Sequence, residues 1–265
     1  QVVIKNGNNI TYYGGKTQQM EKNTRVKARV KAQALKEFMS TKDRVVVMGH
    51  KITDVDALGA AIGIFRAGKT LGKSVSIVVN DPTKSIRPLI AGYVNNPDYE
   101  PSMFVASEQA KDMVDNNTVV VVVDTNRPSY TECEELLHMT KTIVVLDHHR
   151  RGSEVIENAV LSYVEPYASS ACEMVAEILQ YFSDDLRLRN IEADCIYAGI
   201  MIDTNNFITR AGVRTFEAAA FLRRSGADMT RVRKMLRDNI DSYKARAEAV
   251  RTAEIYRGCF AIAKC

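Results

Sequence analysis

The sequence predicts an α/β protein in which a parallel β-sheet carries helices on both faces and is followed by a helical region. Two observations support this fold class. Short apolar runs alternate with longer segments of helical pattern, which is typical of β-α-β units. The runs are rich in valine and isoleucine throughout, as expected for strands that are buried on both faces. At 265 residues, the chain is long enough for one large domain with short additions.

The expected elements begin with a hairpin over residues 1–20, where Asn6-Gly7-Asn8-Asn9 is a strong turn signal. A basic helix follows, and we interpret residues 21–43 as a connector with a solvated face, with a nucleic-acid or phosphate arm as the alternative. The predicted strands are 44–49, 74–79, 118–123 and 142–146, separated by predicted helices near 56–71, 84–92, 107–114 and 131–139. Further helices are expected at 169–183, 190–203, 213–224 and 228–256, and a strand is expected to begin at 259–263.

The composition is that of an ordinary soluble globular protein, with 46% hydrophobic and 26% charged residues. The formal net charge of +4 gives no independent case for nucleic-acid binding, although it suits an anionic substrate. The five cysteines are scattered and form no C-x-x-C pair, which favours reduced thiols used as small apolar residues. The sequence shows no signal peptide and no apolar run long enough to span a bilayer.

Imidazoles and carboxylates follow three of the predicted strands. His50, with Asp54 and Asp56 behind it, follows the first strand, Asp124 ends the run of valines at 119–123, and Asp147-His148-His149 ends the fourth strand. Ligands of open parallel sheets bind at the carboxyl ends of the strands. A helix N-cap would account for one of the two aspartates after His50, but not for both. Imidazole and carboxylate together suit divalent transition metals, so the pattern predicts a metal site.

Other candidates lie in the helical region. Asp203 precedes Thr204-Asn205-Asn206, which taken alone is the turn-forming end of a helix. Arg210, Arg214 and Thr215 stand near the start of the next helix, where a phosphate group could bind. Ser169 is either a substrate contact or part of a simple N-cap. Six side chains of metal-binding type could together build a two-metal centre for phosphate chemistry, and no Walker loop, G-x-S-x-G or G-x-G-x-x-G motif competes with it.

The ordered set His50-x-x-x-Asp54-x-Asp56, Asp124, Asp147-His148-His149 and Asp203 resembles the DHH phosphoesterase superfamily over about residues 44–256. The flanks are similar to one branch of it, the GdpP-type cyclic-di-AMP phosphodiesterases, in which a degenerate GGDEF domain precedes the DHH domain. The segments that carry this similarity are Val2-Val3-Ile4-Lys5, Gly14-Gly15-Lys16-Thr17, Arg25-Val26-Lys27-Ala28-Arg29-Val30, Phe216-Glu217-Ala218-Ala219 and the stretch 222–228.

The resemblance implies a role for each matching position. One metal ion would take His50, Asp54 and Asp124, and the other would take Asp56, Asp124, His148 and Asp203. The catalytic residues would be Asp124, which bridges the ions, and His149, which contacts the scissile phosphate. The expected metal is Mn²⁺, as two ions, with Mg²⁺ or Co²⁺ as alternatives. The expected substrate contacts are His149, Arg210, Arg214, Thr215, Ser169 and Asn205.

The resemblance also implies a function, which is hydrolysis of cyclic-di-AMP to linear 5′-pApA by a hydroxide that both metal ions activate. An oligoribonuclease or pAp phosphatase with the same metal core, and a non-catalytic nucleotide-sensing module, are the alternatives. We expect a small cyclic dinucleotide as partner, no duplex DNA, and a homodimer as one candidate assembly. The parent protein is expected at the cytoplasmic face of the cell membrane, with this part of it soluble.

Two features depart from the family pattern. Ile52-Thr53 stands where an Asn-Pro pair is common, which changes the loop but leaves every expected ligand in place. The family's C-terminal domain, with its Gly-Gly-x-His substrate loop, would begin at about residues 257–265. We therefore divide the chain into the end of a GGDEF-like domain (1–20), the connector (21–43), the DHH domain (44–256) and the start of that C-terminal domain.

Overall fold

A parallel sheet of six strands lies at the centre of the fold. The computed structural model describes residues 2–6, 9–13, 17–94, 96–237 and 240–263. Its strands are β1 (Val2–Asn6), β2 (Asn9–Tyr13), β3 (Arg44–Met48), β4 (Ser74–Val78), β5 (Phe104–Val105), β6 (Thr118–Val123), β7 (Thr142–Asp147), β8 (Leu161–Val164), β9 (Glu254–Tyr256) and β10 (Phe260–Ile262). The central sheet has the order β5-β4-β3-β6-β7-β8, and all its pairs are parallel. The other four strands form two antiparallel hairpins, β1-β2 and β9-β10.

Helices cover both faces of this sheet, which confirms the predicted fold class. They are α1 (Thr17–Ser40), α2 (Val55–Thr70), α3 (Arg87–Val94), α4 (Ser107–Met113), α5 (Leu136–Met139), α6 (Ala171–Phe182), α7 (Asn190–Asp203), α8 (Val213–Arg224), α9 (Met229–Met235) and α10 (Ile240–Arg251). Alternate residues of each strand enter two separate apolar clusters. Val45 and Val47 pack on the side of α2, α6 and α7, whereas Val46 and Met48 pack on the side of α4 and α5.

Helix α2 packs closely on α6 and α7 because a glycine stands at the contact. A Cβ atom at Gly59 would lie 2.6 Å from the sulfur of Cys172 and 2.8 Å from the carbonyl oxygen of Cys195. Only glycine leaves this space, so the sequence lets the helix that carries Asp56 approach its neighbours directly.

The predicted connector helix is one-sided. In α1, Ala28, Ala32, Leu35 and Met39 are fully buried, and the helix packs mainly on α6, while the basic side chains face outward. Among the described residues, none of the helices is both long enough and apolar enough to cross a membrane.

Several element boundaries differ from the sequence prediction. The single helix predicted for 228–256 is wrong, because α9 ends at Met235 and residues 254–256 form β9. The helix predicted near 131–139 is reduced to α5, since Thr131 pairs with His50 in an isolated antiparallel bridge. Strands β5 and β8 were not predicted: the first has two residues, and the second follows a polar loop. The predicted turn at 7–8 lies outside the described residues.

Candidate metal centre

The strand order places three of the predicted ligand segments side by side. From β3 the chain moves outward to β4 and β5, and β6 then returns to pair with the other edge of β3. The crevice between β3 and β6 is therefore the point at which the strand order reverses, where open α/β sheets bind ligands. Because Met48 is in register with Val122, and Val123 with Leu146, the segments that follow β3, β6 and β7 leave the sheet together.

The first group of donors is His50, Asp54 and Asp124, whose donor atoms lie within 4.8 Å of one another. The Nε2 atom of His50 is 3.7 Å from Oδ2 of Asp54 and 3.5 Å from Oδ2 of Asp124. Asp54 is also the N-cap of α2, because its Oδ1 accepts a hydrogen bond from the Ala57 amide at 2.9 Å. One oxygen of this carboxylate thus begins the helix, and the other faces the site.

The second group is Asp56, His148 and Asp203, again within 4.8 Å. The Nε2 atom of His148 is 3.8 Å from Oδ2 of Asp56 and 3.5 Å from Oδ2 of Asp203. Asp56 is fully buried, and the N-terminus of α6 holds it: the amides of Ala171 and Cys172 donate to its two oxygens at 2.7 and 2.9 Å. A helix N-terminus stabilises a buried carboxylate, so this side chain is fixed before any cation binds.

Asp124 lies between the two groups. Its Oδ2 faces His50, whereas its Oδ1 is 3.3 Å from Nε2 of His148. The Oδ1 atom is buried and accepts no hydrogen bond within the described part of the chain. The residue itself has φ of +60°, a conformation that costs free energy for any side chain but glycine. The strained backbone and the orphaned buried oxygen make Asp124 a candidate cation ligand.

The carboxylates strongly favour positive charge on both imidazoles. Burial alone would lower the pKa of His50, but its close contacts with the carboxylates of Asp124 and Asp54 raise it to about 10. Burial likewise opposes charge on His148, whereas Asp124 and the neighbouring carboxylates raise its pKa to about 9. In the absence of a cation, protons on these rings therefore supply the positive charge of the site.

The pKa values of the carboxyl groups are shifted in different directions. Burial, followed by the charge on Asp124, raises the pKa of Asp56 well above its usual range and that of Asp203 to about 6. Burial also opposes the charge of Asp124, but the adjacent imidazoles of His148 and His50 hold its pKa below the ordinary value. Negative charge is crowded here, so cations would stabilise the cluster. The donor set of carboxylates and imidazoles fits Mn²⁺ and related divalent ions.

His149 differs from His148 in exposure and partners. Its side chain is 57% exposed, and its Nδ1 lies 2.8 Å from Oδ1 of Asp147, which is fully buried. The Asp147 carboxylate also accepts the His149 amide and a side-chain N–H of Asn126. This hydrogen bond to Asp147 is the main reason why the pKa of His149 is raised. The Nδ1 atom of His149 also lies 3.6 Å from Asp124, but the ring opens onto the cleft described next.

An open cleft of about 550 Å³ lies against the metal centre. Besides His50, Asp54, Asp124, His149 and Asp203, it is lined by Thr125, Asn126, Arg127, Tyr130 and Arg150. Sequence reasoning did not select these last five residues. Their position could have shown them, because they directly follow β6 and the Asp147-His148-His149 motif at the ligand-binding edge of the sheet.

Three of the predicted substrate contacts lie in a buried polar network instead of the cleft lining. Arg214 forms a two-pronged ion pair with Glu177, both bonds being 2.7 Å. The hydroxyls of Thr215 and Ser169 donate to the same oxygen of Glu173 at 2.6 and 2.5 Å. These contacts join the start of α8 to the start of α6. A substrate role for the three residues stays a prediction, and their observed partners give them a structural role.

The other two predicted contacts stand on the loop after Asp203. Asn205 and Arg210 are exposed, and neither lines the cleft. Asn205, Asn206 and Phe207 have consecutive φ values of +46°, +59° and +65°, so the chain leaves α7 through a strained turn. Their contact with a substrate also stays a prediction.

The unusual Ile52-Thr53 pair is accommodated by a buried acid. The hydroxyl of Thr53 lies 2.9 Å from the carbonyl oxygen of His50 and 3.2 Å from the carboxylate of Glu132. The other oxygen of Glu132 accepts the Asn80 amide at 2.7 Å. These bonds hold the loop between His50 and Asp54 without the stiffness of a proline.

This fold and this cluster define a class of α/β protein that has a candidate two-cation site at the switch point of a parallel sheet. The chain belongs to the DHH family: residues 44–200 match the family's N-terminal domain. That match covers the six strands of the central sheet, the reversal point and five of the six predicted metal ligands, while Asp203 lies three residues beyond its end.

The chain is also similar to two curated proteins over almost its whole length. It is 43% identical over 267 residues to the cyclic-di-AMP phosphodiesterase GdpP of Bacillus subtilis (strain 168), which covers 99% of this chain and 40% of that protein. It is 40% identical over 267 residues to the cyclic-di-AMP phosphodiesterase PdeA of Listeria monocytogenes serotype 1/2a (strain 10403S), with 99% and 40% covered. The chain therefore spans well under half the length of these relatives.

A solved structure shows the same fold. The exopolyphosphatase-related protein from Bacteroides fragilis aligns with a TM-score of 0.73 at 17% sequence identity, over 86% of this chain and 66% of that chain.

Proposed function

We propose that this chain carries the metal centre of a phosphodiesterase that hydrolyses cyclic-di-AMP to linear 5′-pApA. The observation that carries the proposal is the place of Asp124, whose two oxygens face two different groups of imidazole and carboxylate donors. The named activity of the relatives from Bacillus and Listeria supports the substrate class.

The residues divide into two sets around the shared carboxylate. His50, Asp54 and Asp124 would hold one cation, and Asp56, His148 and Asp203, again with Asp124, would hold the other. A pair of divalent cations supplies a nucleophile from water at neutral pH and offsets negative charge on the phosphoryl group. Asp56 and Asp54 are fixed by helix N-termini, so the site is organised before substrate arrives.

His149 would contact the phosphate that is cleaved. Asp147 binds its Nδ1 and raises its pKa, which favours the protonated ring. In that state Nε2 is left to donate a hydrogen bond to a phosphoryl oxygen in the cleft. The buried Asp147 thus positions His149, while His148 turns toward the carboxylates.

We propose Mn²⁺ as the metal, as two ions, because hard carboxylate oxygens and imidazoles form the donor set; Mg²⁺ and Co²⁺ remain alternatives. Metal analysis of the purified chain after loading with each ion measures both identity and number. Fewer than two Mn²⁺ ions per chain at saturation would contradict the two-ion assignment. The homodimer and the place of a longer protein at the cytoplasmic face of the membrane stay predictions.

The activity test compares four substrates with Mn²⁺: cyclic-di-AMP, cyclic-di-GMP, pApA and pAp, with products separated by chromatography. We expect cyclic-di-AMP to be opened to pApA. Preferential hydrolysis of pApA or pAp would support the oligoribonuclease or pAp phosphatase alternative, and binding without turnover would support a sensing module.

The same assay is run on this chain and on a longer protein that adds the C-terminal domain of the relatives. A cyclic dinucleotide is larger than the one phosphate that the metal centre holds, and remote contacts supply binding energy that orients the reacting group. We therefore expect a much lower kcat/KM for this chain, with equal Mn²⁺ binding. Equal kcat/KM for both proteins would contradict this division of the site.

A further inference from the structure

One wall of the cleft contains no metal-binding group. The lining of the cleft also includes Arg127, Tyr130 and Arg150, to which the proposed function gives no role. The cleft volume of about 550 Å³ exceeds what a single phosphate group needs, so this wall faces the remainder of any nucleotide that binds.

Tyr130 presents an aromatic surface to this space. The residue is 55% exposed, and the guanidinium carbon of Arg127 lies 5.4 Å from its ring centroid. Within the described residues, neither Arg127 nor Arg150 forms an ion pair at 4.0 Å or less, and the charge of Arg127 acts only at longer range on Glu154. Single exposed tyrosines are common on protein surfaces, but this one combines a cleft position with an adjacent unpaired cation.

The wall is also fixed to the metal centre by the backbone. Tyr130 ends a short 3-10 helix, Pro128–Tyr130, and its carbonyl oxygen accepts the Lys51 amide at 2.8 Å. On the other side, the amide and hydroxyl of Ser129 donate to Glu154, each at 2.8 Å. Because Lys51 directly follows the candidate ligand His50, these hydrogen bonds hold the backbone of Tyr130 next to the candidate metal centre.

We propose that Tyr130 and Arg127 form a stacking shelf that receives a nucleobase of the substrate while the scissile phosphate lies at the metal centre. Aromatic rings and guanidinium planes stack on nucleobases without regard to their identity. The charge of Arg127 adds attraction for an anionic nucleotide. This inference rests on the proposed function, since it assumes that a nucleotide phosphate binds at the metal centre.

The test measures the contribution of the base to binding by the Mn²⁺-loaded chain. Calorimetry compares adenosine 5′-monophosphate with ribose 5-phosphate, which has the same phosphate and sugar but no base. Stacking of one base contributes about 1–3 kcal/mol, a factor of about 5 to 150 in affinity, so the wild type should prefer the nucleotide by that ratio. Tyr130→Ala should bring the ratio close to one, whereas Tyr130→Phe should preserve it.

Two controls separate the shelf from general effects. Tyr167→Ala removes a tyrosine of similar exposure, 60%, that does not line the cleft, and it should leave the ratio unchanged. Arg127→Ala should weaken binding of both ligands, and more for the nucleotide. Mn²⁺ binding should be normal in every variant.

Three results would contradict the stacking shelf. The wild type could bind the two ligands with equal affinity or bind neither measurably, or Tyr130→Ala could leave the affinity ratio unchanged. Failure of the proposed function would give a different result. In that case cyclic-di-AMP would not be hydrolysed even by the longer protein, whatever the ratio between the two ligands.

Discussion

Replacing Asp124 by asparagine is the sharpest test of the metal centre. The amide has nearly the same shape as the carboxylate, but it lacks the negative charge that faces both donor groups. Oδ2 of Asp124 lies 3.5 Å from His50, and Oδ1 lies 3.3 Å from His148. One substitution therefore weakens two sites, which replacing Asp54 or Asp203 would not do.

The size of the effect follows from these separations. At an effective dielectric constant of about 20, unit charges roughly 3.4 Å apart interact by about 5 kcal/mol, which is the scale of the attraction that Asp124 exerts on a positive charge in either donor group. Solvent and small shifts of neighbouring side chains recover part of this, so we expect each site to lose at least about 2.7 kcal/mol, or a factor of about 100 in Mn²⁺ affinity. Hydrolysis of a phosphodiester should fall by about 1,000-fold, since both ions lose their shared ligand.

The assay is calorimetric titration of Mn²⁺, joined to electron paramagnetic resonance, which detects magnetic coupling between two ions that share a carboxylate. Asp124→Asn should abolish that coupling and lower the stoichiometry at moderate Mn²⁺. Asp112→Asn, an exposed carboxylate on α4, is the matched control and should bind like the wild type. Two coupled ions at unchanged affinity in Asp124→Asn would refute the bridging role.

Three further predictions concern the same molecule. His149→Ala should keep Mn²⁺ affinity within a few-fold and lower turnover, whereas His148→Ala should weaken Mn²⁺ binding directly; equal loss of metal in both would contradict the division between the two rings. The pKa of His50 is about 10 and that of His148 about 9 without a cation, so Mn²⁺ must displace protons from both rings when it binds. The apparent Mn²⁺ affinity should therefore rise as pH increases from 6.5 to 9. Calorimetry in buffers of different ionisation enthalpy measures the released protons. An affinity that does not change with pH would count against this displacement. Gly59→Ala should lower the free energy of unfolding by about 1–3 kcal/mol in urea titration, because its methyl carbon would lie 2.6 Å from a sulfur atom in α6. Gly212→Ala is the control, since the space around Gly212 is open. Equal stability of the two variants would contradict this prediction.

The sequence by itself determined the fold class and the candidate ligands. Buried parallel strands produce continuous apolar runs, and polar residues at the ends of such runs stand out. His50, Asp124 and His148 were selected because each follows a valine-rich or isoleucine-rich strand. Such patterns are local in the sequence, so they can be recognised without knowledge of the tertiary structure.

The strand order and register decided which of these residues meet. Nothing in the sequence around Asp56 shows that its carboxylate accepts the amides of Ala171 and Cys172, more than 100 positions away. The same holds for Ser169 and Thr215, whose hydroxyls turn to Glu173. A helix start offers amides and hydroxyls to a phosphate and to a protein carboxylate alike, so only packing selects the partner.

The tertiary structure alone also decided the boundaries and the cleft. Strand β5 consists of Phe104 and Val105, which favour strands, but two residues are too short a pattern to predict one, and the strand forms because β4 offers it an edge. The residues Arg127 and Tyr130 became a wall of the site because the bridge between His50 and Thr131 brings their loop to the end of β3. The sequence therefore determined which candidate ligand residues follow each strand at the edge of the sheet. The three-dimensional pairing of strands and loops determined which donors share a cation and what surrounds them, because those distances depend on contacts between residues far apart in the chain.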